Sequence, residues 1–156
     1  MCLSCCRSGF CADKCIRIGN ADGTLRFGWD EVQKNLDNQE GSHALYRYTM
    51  RGPAKPLSRT MGAQAERVNA GARSTPIRES CSFVYHCYEG RGRSELKLAS
   101  GQTEVVEWAP GDTFAVPAWT ERVHFAESET PSYLFAVSDE PLLRNLGMYR
   151  KEGEQA

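Results

Sequence analysis

The stretch from Glu107 to Phe125, E-W-A-P-G-D-T-F-A-V-P-A-W-T-E-R-V-H-F, constrains the fold more than any other part of the chain. Proline presets the φ of a turn and glycine tolerates positive φ, so P-G-D between two apolar runs marks a tight reversal. The expected pattern is a strand Thr103 to Trp108, a turn Ala109-Pro110-Gly111-Asp112, a second strand Thr113 to Val116, and a corner at Pro117. Beyond the turn the spacing is itself a motif: Gly111, five residues, Pro117, then Trp119, then Arg122.

An earlier spacing matches it. Gly71 is followed after five residues by Ile77, Arg78 and Glu79, then by Phe83, and after six more by Gly90. From Met61 the chain reads as short strands joined by turn residues, at Gln64 to Val68, Ser82 to Tyr88, Ser94 to Leu98, Thr103 to Trp108 and Tyr133 to Val137. That is the pattern of an all-β barrel or sandwich. Upstream, a helix is expected to start at Asp30, with Gln33 reaching back to complete a capping box and with Trp29, Val32 and Leu36 on one face. It should pack outside the barrel. Leu45 to Tyr48 reads as an edge strand, Gly52 to Pro56 as a break, and Asp139-Glu140-Pro141 as the opening of a short C-terminal helix. The expected organisation is a Cys-rich tail (1–20), a helix and edge-strand extension (21–59), the barrel with its C-terminal helix (60–151) and a short tail (152–156).

Composition narrows the partners. Nineteen basic residues face twenty acidic ones, a net charge of −1, so no global field draws the chain to nucleic acid or anionic lipid. A small-molecule ligand is expected. No apolar run approaches the ~20 residues of a membrane span, and the N-terminus has Cys and Arg where a signal peptide carries an apolar core, so a cytoplasmic location is expected. Of seven cysteines, Cys2, Cys5, Cys6, Cys11 and Cys15 crowd the first fifteen residues. Their spacing fits half a zinc site, S-acylation is a second option, and a tail of reduced thiols is the simplest reading. Cys81 and Cys87 are expected in the core.

The two spaced signatures resemble those of the cupin barrels, with Trp119 standing where many relatives have glycine. The likeness extends further. The closing run F-A-V-S-D-E-P-L-L-R-N-L-G-M-Y-R, the T-M-G-A-Q at Thr60 and the R-F-G-W segment at Arg26 resemble the C-terminal cupin half of gentisate 1,2-dioxygenase and 1-hydroxy-2-naphthoate dioxygenase. The resemblance implies a double-stranded β-helix, a bicupin parent that opens aromatic rings with non-haem Fe(II), and a homodimer. It also puts metal ligands at Ile77, Glu79, Phe83 and Arg122, where only Glu79 can ligate, so no metal or other cofactor is expected.

What replaces the metal defines the candidate site. Glu79 and Arg122 are expected to form a bidentate pair in the lumen, with His124 on the same strand face as Arg122. Glu79, Arg122 and His124 are the candidate catalytic residues; Gln64, Tyr85 and Trp119 are the candidate substrate contacts. His86 should face away, and His43 should lie outside the barrel strands. Two functions stay open. One is a metal-independent isomerase, cyclase or dehydratase acting on a small aromatic or polyketide-like substrate; the other is a non-catalytic binding or partner subunit, or half of a split dioxygenase.

Overall fold

A computed structural model describes residues 26–50 and 55–153. The readings for the Cys-rich tail, the turn before Leu25 and the break at Gly52-Pro53-Ala54 lie outside the described residues. The elements in order are α1 (Trp29–Asp37), β1 (His43–Arg47), β2 (Thr49–Met50), β3 (Lys55–Pro56), β4 (Gly62–Val68), β5 (Ile77–Arg78) and β6 (Phe83–Glu89). There follow β7 (Gly92–Lys97), β8 (Thr103–Trp108), β9 (Thr113–Val116), β10 (Glu121–Ala126), β11 (Ser132–Ser138) and α2 (Glu140–Asn145).

Alternation of side chains along these strands builds two facing sheets. On β6, Phe83, Tyr85 and Cys87 are buried, while Val84 and Tyr88 are exposed and His86 is half-buried. The first sheet has the order β1-β4-β11-β6-β9, the second β5-β10-β7-β8, and all pairings are antiparallel. Between them lies a core of Phe83, Tyr85, Leu96, Trp108, Phe114 and Leu134, joined by the buried free thiols Cys81 and Cys87. Burial of each large apolar side chain contributes about 1.5–3 kcal/mol. Gly111 takes φ +95° at the turn expected from P-G-D, and β8 and β9 end and begin where that turn dictates. No helix among the described residues is long and apolar enough to cross a membrane.

The helix α1 lies on the outer face of the first sheet, where Val32 and Leu36 pack with Ala44, Tyr46, Ala65 and Tyr133. Its start corrects one expectation. The N-cap is Gly28, with no side-chain cap, and Asp30 sits inside the first turn, where its charge favours the positive end of the helix dipole. A second correction concerns His43. β1 pairs with β4 from His43↔Val68 to Arg47↔Gln64 and forms the edge of the first sheet, so His43 belongs to a barrel strand. Pro56, expected in a break, closes the two-stranded β2–β3 ribbon, pairing with Thr49. At the far end α2 opens after Asp139 with Pro141 in its first turn, as the sequence suggests.

Candidate functional site

The inward faces of β4, β6 and β10 carry polar residues where an ordinary barrel core would be apolar. Gln64 and Glu66 on β4, Tyr85 on β6, and Arg122 and His124 on β10 are all buried. Glu79, just past β5, is buried too, and Trp119, in the corner between β9 and β10, donates its backbone N–H to Glu79 O at 2.8 Å. Buried polar groups need partners, and here they supply them to one another.

The network is continuous. Arg122 donates from Nη2 to Glu79 Oε2 at 2.9 Å and from Nε to the Tyr85 hydroxyl at 2.8 Å. Tyr85 in turn donates to Glu66 Oε1 at 2.8 Å, which also accepts from Gln64 Nε2 at 2.7 Å. Glu66 Oε2 meets His43 Nε2 at 2.9 Å. At the other end, Tyr149 donates its hydroxyl to Glu79 Oε1 at 2.8 Å. The expected bidentate pair of Glu79 with Arg122 is therefore corrected: Arg122 holds one carboxylate oxygen and Tyr149 the other. The guanidinium also lies over the Phe83 ring, 4.0 Å from its centroid, and Phe83, Tyr85 and Phe114 form a stacked row.

Electrostatics follow from this packing. Burial alone would lower the Arg122 pKa, but Tyr85, Glu79 and Glu66 together raise it, so the guanidinium stays charged. Burial would raise Glu66, yet the hydrogen bond and charge of His43, with His124 and Arg122, hold it well below the usual carboxylate range. Burial drives the Tyr85 hydroxyl upward, and burial with the Glu79 charge does the same to Tyr149, so both remain donors.

His124 is the exception in the network. Burial lowers its pKa to about 4, leaving it neutral near pH 7. Trp108 Nε1 donates to Ser94 Oγ at 2.9 Å, and Ser94 Oγ lies 2.7 Å from His124 Nδ1. Ser94 Oγ thus joins the Trp108 indole to one edge of the imidazole, whose other nitrogen is Nε2. That Nε2 is buried without a partner among the described residues, and its ring stands 4.7 Å from that of Tyr85.

Five of the six sequence-derived site residues thus meet inside the barrel: Glu79, Arg122, His124, Gln64 and Tyr85. Trp119 does not. Its side chain is 38% exposed and its φ is +59°. Sequence reasoning missed Glu66, His43 and Tyr149. Glu66 was findable, because it follows Gln64 by two positions and so shares its strand face.

The four motif positions carry Ile77, Glu79, Phe83 and Arg122. Isoleucine and phenylalanine offer no lone pair, a guanidinium repels a cation, and both oxygens of Glu79 are engaged. This donor set does not fit a divalent iron, and among the described residues no three of His, Cys, Asp and Glu converge in a way that could hold a metal ion. A surface cavity of about 350 Å³ lies at the opposite end of the second sheet, lined by Arg91, Glu107, Trp108, Asp112 and Glu127 among others. Of the candidate site residues, none lines it.

No family model matches the chain. It is 29% identical over 140 residues to a 5-aminosalicylate 1,2-dioxygenase of Comamonas sp, covering 85% of this chain and 36% of that protein. It is 32% identical over 111 residues to a gentisate 1,2-dioxygenase of Streptomyces sp, covering 71% and 29%. The crystal structure of a salicylate 1,2-dioxygenase from Pseudaminobacter salicylatoxidans superposes with a TM-score of 0.71 at 25% identity, over 81% of this chain and 38% of that one. An oxalate oxidase at 10% identity and a TM-score of 0.59 shares the fold alone. The chain spans about a third of the length of the dioxygenases it matches. It is a cupin-fold homologue of the gentisate, 5-aminosalicylate and salicylate 1,2-dioxygenases.

Proposed function

We propose that this chain is a metal-free cupin unit of a gentisate-type ring-cleavage dioxygenase system, serving as a non-catalytic partner to a cupin that carries the iron. The observation that carries this reading is the hydrogen-bonded chain from His43 through Glu66, Tyr85, Arg122 and Glu79 to Tyr149, which uses the residues at the ligand positions as one another's partners. A lumen satisfied in this way has its polar groups spent on the fold. Phe83 and Tyr85 fill it further as core.

A second reading is favoured by one specific observation, the unpartnered Nε2 of His124. In it the barrel is a metal-independent acid–base enzyme of isomerase, cyclase or dehydratase type on a small aromatic substrate. His124 or Glu79 moves the proton and Arg122 holds an oxyanion, with Gln64 and Tyr85 contacting the substrate.

Calorimetric titration of the chain with gentisate and with salicylate separates the two. The partner reading expects no saturable heat, and oxygen uptake with gentisate only after an iron-loaded cupin is added. The enzyme reading expects saturable binding that is lost in His124→Gln. Saturable binding of that kind overturns the partner reading.

A further inference from the structure

The surface cavity of about 350 Å³ beside Trp108 takes no part in the lumen network, and its size falls within the usual range of small-molecule sites, about 300–1,000 Å³. Glu107 and Trp108 enter it from the end of β8, Arg91 from the β6–β7 turn, Asp112 from the β8–β9 turn and Glu127 from the chain that follows β10. These turns are tied together. Glu127 N–H donates to Arg91 O at 2.9 Å, and Cys87 N–H to Asp112 O at 2.9 Å. Asp112 Oδ2 accepts from Ala109 N–H at 2.9 Å. Gly92 closes the base: a Cβ there would stand 1.9 Å from Phe125 O and 2.8 Å from Cη2 of the Trp108 indole, and that buried indole is itself held by Ser94. The walls are formed in advance, which spares a ligand the cost of ordering them.

The charges on these walls are divided into two poles. Arg93, just beyond the cavity, pairs with Glu95 and Glu127. Arg91 lines the same cavity as Glu107, Asp112 and Glu127, yet its guanidinium forms an ion pair with none of them, and the Glu107 carboxylate has no hydrogen bond or ion pair among the described residues. The cavity thus keeps a free cation on one wall and free carboxylate oxygens on another. Among the described residues no three acidic, histidine or cysteine side chains converge in a way that could hold a metal ion. An ammonium is the cation that suits such spread acceptors, since it carries its charge on three donors. The guanidinium is the matching partner of a carboxylate. A ligand with only one of these charges would leave a like charge facing it on the other wall.

We propose that this cavity binds a small aliphatic zwitterion of the amino-acid class, its carboxylate on Arg91 and its ammonium between Glu107 and Asp112. The methylenes of the ligand lie over the base at Trp108. None of Gln64, Glu79, Tyr85, Arg122 and His124 lines this cavity, so the site is separate from the lumen and goes beyond either reading of it.

The test is calorimetric titration of the full chain at neutral pH with γ-aminobutyrate and ε-aminocaproate, and with butyrate and butylamine as singly charged analogues. Bridging predicts saturable heat with at least one of the two zwitterions, and binding of each analogue at least about tenfold weaker. Arg91→Gln should weaken the zwitterion about tenfold and leave butylamine unchanged; Glu107→Gln should weaken it about tenfold and leave butyrate unchanged. Both side chains are exposed, so the variants are expected to melt with the parent. Absence of saturable heat with both zwitterions overturns the proposal. So does butylamine binding as tightly as the zwitterion, which would show an acidic surface only. Binding that survives both substitutions overturns it as well, because the ligand would then sit elsewhere. None of these outcomes involves gentisate, salicylate or oxygen uptake, so this proposal and the partner reading fail separately.

Discussion

The guanidinium carbon of Arg122 lies 4.0 Å above the centre of the Phe83 ring. Both residues stand at positions where the cupin signatures put metal ligands, and here they hold each other. A desolvated cation over an aromatic face is worth about 2 kcal/mol, so this contact and the Glu79 pair together fix the guanidinium inside the barrel.

Removing one charge should therefore be far worse than removing both. Arg122→Met leaves Glu79 buried with only Tyr149 and the weak Cys81 thiol contact for partners, and is expected to cost about 3–5 kcal/mol. Glu79→Gln combined with Arg122→Met should recover more than half of that loss. Urea denaturation of the two single variants and the double variant measures it. Additive losses would mean the pair is not coupled.

Tyr149→Phe keeps the ring under Arg144, whose guanidinium carbon is 3.7 Å from its centroid, but deletes the hydroxyl that holds Glu79. A hydrogen bond to a charged group contributes about 1.5–3 kcal/mol, and the half-buried position puts the expected loss near the lower figure. An unchanged midpoint would show that water replaces the hydroxyl at no cost.

His124 makes stability depend on pH. Its folded pKa of about 4 lies below the ordinary value of 6.5, so the unfolded chain takes up the proton first. The stabilisation is fully present above pH 6.5 and is lost as pH falls toward 4. Glu66 and Glu140, both depressed, act in the same direction at lower pH. His124→Gln should shrink the stability difference between pH 7 and pH 4.5 by about 2 kcal/mol. An identical pH profile in the variant would place the titration elsewhere.

Trp119 occupies a left-handed backbone position at φ +59° with its side chain partly in solvent. Such a conformation costs an L-residue about 1–2 kcal/mol, partly offset by the extra unfolded-state freedom of glycine. Trp119→Gly is expected to raise stability by up to about 1 kcal/mol. A loss would mean that the exposed indole makes a contact that stabilises the corner.

The sequence was most legible where local chemistry decides structure. The P-G-D turn placed β8 and β9 to the residue. Strand alternation put Arg122, His124, Gln64 and Tyr85 on inward faces and His86 on the outer one. What escaped depended on distant chain paths. Tyr149 reaches Glu79 only because Gly147 reverses the chain after α2, and no spacing within residues 147–152 reveals the edge it joins. His43 was missed because β1 is short and follows a helix, so its pairing with β4 is a tertiary choice. The second oxygen of Glu79, and hence the failure of the bidentate expectation, follows from the same unread reversal.

The account turns on whether the ligand positions can take iron. The direct measurement is anaerobic incubation of the purified chain with excess Fe(II), removal of unbound metal, and elemental analysis followed by oxygen uptake with gentisate. The Arg122–Glu79–Tyr149 arrangement predicts iron far below one equivalent per chain and no uptake. One tightly held iron per chain, with gentisate-dependent oxygen consumption, would contradict it.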